Sequence, residues 1–207
     1  MRFSLIRALA LALTLNLVVA VSGATAETPT EAVKGVVDEV IRLLQDPSLK
    51  SPGQKKIRRE RMKQVIDRRF DYEEMARRSL GASWRSLNAG QRQEFVRLFG
   101  ELLEASYADK IEKYRNEKVQ YLQENVEDAD YAEVRTSLLR KNDKIPMNYR
   151  LLRKDRGWMV YDVVIEGVSL VSNYRSQFSR VISESSYGEL MRRLRVKISE
   201  LQKTERL

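Results

Sequence analysis

The spacing of apolar positions changes period twice along the chain. From Glu31 to Leu44 they recur at helical intervals, at Val33, Val36, Val37, Val40, Ile41 and Leu44. Asp46-Pro47-Ser48 ends that segment and Ser51-Pro52-Gly53 opens the next. QKKIRRERMKQVIDRRF, Gln54 to Phe70, predicts a very basic helix with Ile57, Arg61, Val65 and Ile66 roughly on one face. Its Lys and Arg stems can lie over apolar neighbours. The face is either simply solvated or a docking surface for an acidic partner. Asp71 is placed to cap a short helix carrying Met75, Ala76 and Leu80, with Gly81 closing it in the left-handed conformation. Asn88 with Gln91 resembles a capping box before a long helix, about Ala89 to Tyr114. Phe95, Leu98, Phe99 and Leu102 form one stripe on it; Val96, Leu103, Tyr107, Ile111 and Tyr114 form a second. Two stripes predict cover on both sides, which makes this helix central.

The period then shortens. KVQYLQENV, YAEVRTSLLR, IPMNYRLLR and WMVYDVVIE are four segments rich in Val, Ile, Tyr and Leu, punctuated by Asp128-Ala129-Asp130, Lys141-Asn142-Asp143 and Asp155-Arg156-Gly157. Ala132, Val134, Thr136 and Leu138 alternate with Glu133, Arg135 and Ser137, as antiparallel strands do with one wet and one buried face. The short turns leave no room for crossover helices. After Gly167 the helical period returns, with Val171, Tyr174, Phe178, Val181 and Ile182 in line. A last stripe, Leu190, Met191, Leu194, Ile198 and Leu201, follows. The plan is α+β: a four-stranded antiparallel curved sheet with several α-helices laid on one face.

The first residues stand outside this plan. Arg2 and Arg7 precede an apolar run, Ala8 to Val21, and Ala24-Thr25-Ala26 supplies small residues. This is the layout of a signal peptide cleaved near Ala26, so residues 1–26 are expected to be a leader and 27–207 the exported domain. Without Arg2 and Arg7 the chain keeps 36 basic and 29 acidic side chains, a net of +7. That surplus favours anionic lipid surfaces or acidic partners, or only solubility. Export argues against nucleic acid as the partner.

Chemistry is scarce. The chain has no cysteine and no histidine, which removes disulfides, thiolate metal sites and the commonest general base. Glu73 and Glu74, a lone acidic pair on a short helix, read as complementing its N-terminus, with a catalytic pair as the competing reading. Asp128 and Asp130 read as a turn, without the ligand series of a calcium loop. Asp162 and Glu166 could form an acid–base pair on one strand; a structural link from Asp162 to an arginine such as Arg150 or Arg175 is the competing reading. No glycine-rich phosphate loop is present. The apolar stripes either fill a solid core or line a hollow between sheet and helices, a usual place for a ligand.

FDYEEMARRSLGASW, QRQEFVRLFGELLEASYADKIEKY, YRLLRKDRGWMVYDVVIEGVSLVSNYRSQF and YGELMRRL together resemble the MlaC, or toluene-tolerance, family over about Ala32 to Leu201. The resemblance implies a cystatin- or nuclear-transport-factor-like α+β fold, a lipid-binding domain over 27–207, and no enzymatic activity. It implies a periplasmic carrier holding a diacyl phospholipid by its tails, with no other cofactor and no metal. The carrier would act as a monomer between an outer-membrane lipoprotein–porin complex and an inner-membrane ABC transporter with its substrate-binding ring, maintaining outer-membrane lipid asymmetry. A branch of the family implies hopanoid-type lipid as alternative cargo; a lipid-ester hydrolase using Asp162 or Glu166 is the alternative from another class. Val168 and Val171 at the strand-to-helix junction, with Tyr107 and Met147, are implied to face the tails. Leu98, Leu102, Val134, Leu138, Tyr149, Val160, Tyr174 and Phe178 complete the implied tail cavity.

Overall fold

The computed structural model describes residues 27–114, 117–140 and 143–204. Residues 1–26, the expected signal peptide, lie outside them. α1, Pro29–Gln45, starts at a reciprocal cap: Thr28 Oγ1 accepts from Glu31 N at 3.1 Å and Glu31 Oε2 accepts from Thr28 N at 2.8 Å. α2 spans Lys55–Asp67 and α3 Tyr72–Leu80. Asp71 caps α3, its Oδ1 accepting from Glu74 N at 3.0 Å. Gly81 follows with φ 56° and ψ −126°. This is not the left-handed helical cap expected, but a conformation open essentially to glycine, and the chain leaves it in a 3-10 segment, Gly81–Ser86. α4, Ala89–Glu112, carries the expected capping box at Asn88 and Gln91.

Five strands follow, β1 Lys118–Val126, β2 Tyr131–Arg140, β3 Asp143–Lys154, β4 Gly157–Ile165 and β5 Val168–Ser169, antiparallel and in sheet order β1-β2-β3-β4-β5. The expectation of four strands is corrected by β5. Glu166 at φ 50° and Gly167 at φ 82° make a two-residue hairpin turn that pairs Ile165 with Val168. Two successive positive φ values match the right-handed twist of the flanking strands. α5, Leu170–Glu184, and α6, Tyr187–Thr204, close the chain.

Helices cover both faces of the sheet, not one. α1 packs across β1, β2 and β4 on the face carrying Ala132, Val134, Tyr149, Leu151 and Val160, here called the inner face. α3 and α5 pack against β4 from the other side. There the Arg78 guanidinium lies 4.1 Å from the Tyr161 ring centroid and 5.9 Å from that of Tyr131. The reason is in β4 itself: WMVYDVVI is apolar on alternate and intervening positions, so both its faces need cover. Two apolar cores result. One joins α3, α4, α5 and α6 around Phe95, Phe99 and Phe178; the other joins α1 to the inner face. Phe70 packs against both.

Candidate functional site

The strand register sorts the inner face into rows that cross the sheet. The row Ala132, Leu151, Val160 and the row Val134, Tyr149, Val163 are buried under α1. The next row, Tyr121, Thr136, Met147 and Ile165, is half-buried except for Thr136. The last, Val119, Leu138 and Ile145, is half-buried throughout. Cover is thus lost along one continuous apolar surface. The helices near it show the same grading. α1 buries Pro29, Ala32 and Val33, while Val36, Val37, Val40, Ile41 and Leu44, further along it, are half-buried. On α4, Tyr107 and Ile111 are half-buried.

Topology brings the ends of these half-covered surfaces near one another. α4 starts in the helical core, where Phe95 meets Phe178 edge-on at 5.7 Å. It ends beside the start of β1, where Tyr114 Oη donates to the Glu117 carbonyl. α4 thus joins the helical core, packed beside β4, to the start of β1, two strands away in the sheet. α2 ties α1 to the far end of α4. It packs on α1, and Arg58 and Arg59 hold the Glu112 carboxylate at 2.7 and 2.8 Å, with Arg59 also pairing with Asp109. The guanidinium forks and carboxylate are largely buried, so this link is less screened than a surface pair.

The polar groups in the middle of this face, Thr136, Tyr121 and Tyr149, are uncharged. Burial pushes the Tyr149 phenol up to about 12, and its hydroxyl donates to Met147 Sδ at 3.1 Å. Burial, then the neighbouring Tyr149 and Asp38, raise Tyr121 as well. Its Oη is buried without a hydrogen-bond partner among the described residues. Among the described residues no cluster of three or more Asp or Glu could hold a metal.

The strand-to-helix junction is built on Asp162, a buried carboxylate on the other face of β4. Its Oδ1 accepts from Val171 N at 3.1 Å; its Oδ2 accepts from Ser169 Oγ at 2.6 Å and Arg150 Nη1 at 3.3 Å. Ser169 in turn accepts from Ser172 N at 3.0 Å. Asp162 therefore neutralises the first turn of α5 and the Arg150 charge together. Both oxygens are engaged in structure, and Glu166 stands exposed at the hairpin tip. The two carboxylates do not form an acid–base pair directed at a cleft.

The family model for MlaC matches residues 34–196. The chain belongs to the MlaC family. It is 28% identical over 126 residues to the intermembrane phospholipid transport system binding protein MlaC of Haemophilus influenzae, covering 58% of this chain. That match spans 59% of the curated relative's length. A solved phospholipid-binding protein of Ralstonia solanacearum, in complex with a phospholipid, superposes with a TM-score of 0.75 at 28% identity. The superposition covers 83% of this chain and 97% of that one.

Against this MlaC frame the expected tail contacts separate into groups. Val134, Tyr149 and Val160 are buried in the α1–sheet core. Leu98, Leu102, Val171 and Phe178 are buried in the helical core. These seven are packed by the protein's own side chains. Tyr107 and Tyr174 flank the helical core half-buried; Met147 and Leu138 stand on the open rows. Val168 is 56% exposed, opposite Ile165 at the sheet edge. The structure thus brings four of the twelve to half-covered walls and one to the rim. Leu102, Tyr174 and Phe178 also line a separate cleft of about 290 Å³ between α4, α5 and α6. The residues that sequence reading missed are Val36, Val40, Ile41, Val119 and Ile145. Their apolar spacing was visible; their incomplete cover was not. The basic run of α2 is largely engaged within the chain: besides the Glu112 clamp, Lys63 pairs with Asp67, and Lys56 and Lys55 approach Glu60 and Asp109 at 3.9 Å. Among the described residues no helix is long and apolar enough to cross a membrane.

Proposed function

We propose that the protein is a periplasmic phospholipid carrier. It holds acyl tails against the uncovered half of the inner face, between α1, α2 and the far half of α4. One observation carries this reading: a single apolar sheet face is fully packed in two rows and left half-covered in the next two. A folded domain ordinarily covers such a surface, and a guest would complete the cover. The Haemophilus and Ralstonia relatives, named for phospholipid transport and phospholipid binding, support the choice of guest.

Each CH₂ moved out of water is worth roughly 0.8 kcal/mol. Two long tails in water therefore cost on the order of 20 kcal/mol. A bilayer shelters them equally well, so a carrier needs only to match it. Half-buried apolar walls with few polar hooks suit that task. In this reading the carrier works as a monomer between an outer-membrane lipoprotein–porin complex and an inner-membrane ABC transporter with its substrate-binding ring, and it sustains outer-membrane asymmetry. Native mass spectrometry of protein purified without detergent should show a co-purifying diacyl phospholipid. A folded sample carrying only the apo mass, and remaining so after incubation with phospholipid vesicles, would overturn the reading.

A further inference from the structure

The two ends of the sheet differ in charge as well as in cover. At the closed end the turns and strand ends carry Glu127, Asp128, Asp130 and Asp155, against Arg153, Lys154 and Arg156. Lys154 is itself paired with Asp71. At the open end the signs reverse. Lys110 and Lys113 in the last turn of α4, and Lys118, Arg140 and Lys144 at the strand ends, are all exposed. Their local acids are Glu117, 3.7 Å from Arg140, Asp143 and the exposed Glu166, whose N–H donates to the Pro146 carbonyl, so the cations still outnumber the acids. The four lysines form no ion pair among the described residues, and Lys110 Nζ sits 4.6 Å from the centroid of the half-buried Tyr107 ring. Asp109 and Glu112, which could have neutralised α4's lysines, face the cations of α2 instead.

We propose that this basic rim reads the lipid head group, so that the chain loads anionic phospholipids in preference to zwitterionic ones. The proposal rests on the carrier reading. Arg140 follows Leu138 by two residues, on the same face of β2, and Lys110 lies one turn from Tyr107 on α4. A lipid whose tails lie on the open rows has its head group at this end. An anionic head group brings one uncompensated negative charge to a rim that carries excess positive charge; a zwitterionic one brings none. Attraction across such a solvated rim is moderate and weakens with salt.

The test loads the protein from vesicles of equal parts phosphatidylglycerol and phosphatidylethanolamine, re-isolates it, and measures the ratio of the two lipids bound. At low salt the wild type should enrich phosphatidylglycerol about tenfold, equivalent to about 1.4 kcal/mol. The triple variant Lys110→Gln, Lys113→Gln, Lys144→Gln should return the ratio towards one with total lipid per protein unchanged. Raising salt to 0.5 M in the wild type should do the same. A wild-type ratio near one overturns the proposal while leaving the carrier reading intact. So does a rise in total uptake from anionic vesicles with no change in ratio, which would mark attraction to the membrane surface alone. No lipid of either kind overturns both.

Discussion

The inner face of the sheet is one surface with two fates. Its closed half, at Val134, Leu151 and Trp158, is packed to 2% exposure or less; its open half, at Leu138, Ile145 and Met147, is not. Side-chain chemistry does not separate the halves, since both are apolar. What separates them is α1, which presses its first turns on one half and has half-covered apolar residues further along. The lesson is that apolar pattern specifies which face turns inward, and helix placement decides whether the protein or a guest fills the space beyond.

The sharpest way to break this comparison is to truncate matched residues in each half. Leu151→Ala should destabilise the fold by about 3–4 kcal/mol, whereas Ile145→Ala should cost under about 1 kcal/mol, because only the first leaves a closed cavity. Denaturant unfolding checks both, and equal losses would mean that the halves are packed alike. Asp162→Ala lies off the inner face and serves as a control. It leaves the Val171 N–H and Arg150 without their buried partner, so a loss of about 2–3 kcal/mol is expected. Lipid loading of the folded fraction should be unchanged; a drop in loading would place the junction in the lipid site. Met147→Glu puts a carboxylate on the open rows. It should lower bound lipid at least tenfold by native mass spectrometry, because an ionised group among acyl chains is costly. The midpoint of thermal unfolding should move by only a few degrees. The smallest effect is expected from Val168→Glu, already 56% exposed. Its stability should stay within about 0.5 kcal/mol of wild type. Its loading should fall less than that of Met147→Glu; a larger fall would move the tail site to the β5 edge.

Much of the architecture was legible in the residues. The alternation of Ala132, Val134, Thr136 and Leu138 marked the inner face, and Asn88 with Gln91 marked the start of α4. β5 was not legible, because two residues cannot show a period. The second covered face of β4 was legible in principle: Trp158 to Ile165 lacks the polar alternation of β2, which is how a strand covered on both sides reads. The half-covered wall was legible only as apolar positions. Val160 and Met147 are both large and hydrophobic, yet one is sealed in core and the other is half-covered. Composition carries no record of that difference. The structural link between Asp162 and Arg150 was foreseen as an alternative; its capping of α5 depended on the hairpin folding the chain back, which no local pattern announces.

The tight reversal at Glu166-Gly167 has a mechanical consequence. It delivers α5 directly onto the strand it has just left, and Asp162 fastens it there. That side of the molecule is an anchor: shifting α5 against β4 would break several buried contacts at once. On the opposite side, α2 meets α4 through directional guanidinium–carboxylate bonds whose groups are largely buried. Each flank is therefore fastened by charge taken out of water, a carboxylate beneath α5 on one and two guanidiniums on a carboxylate on the other.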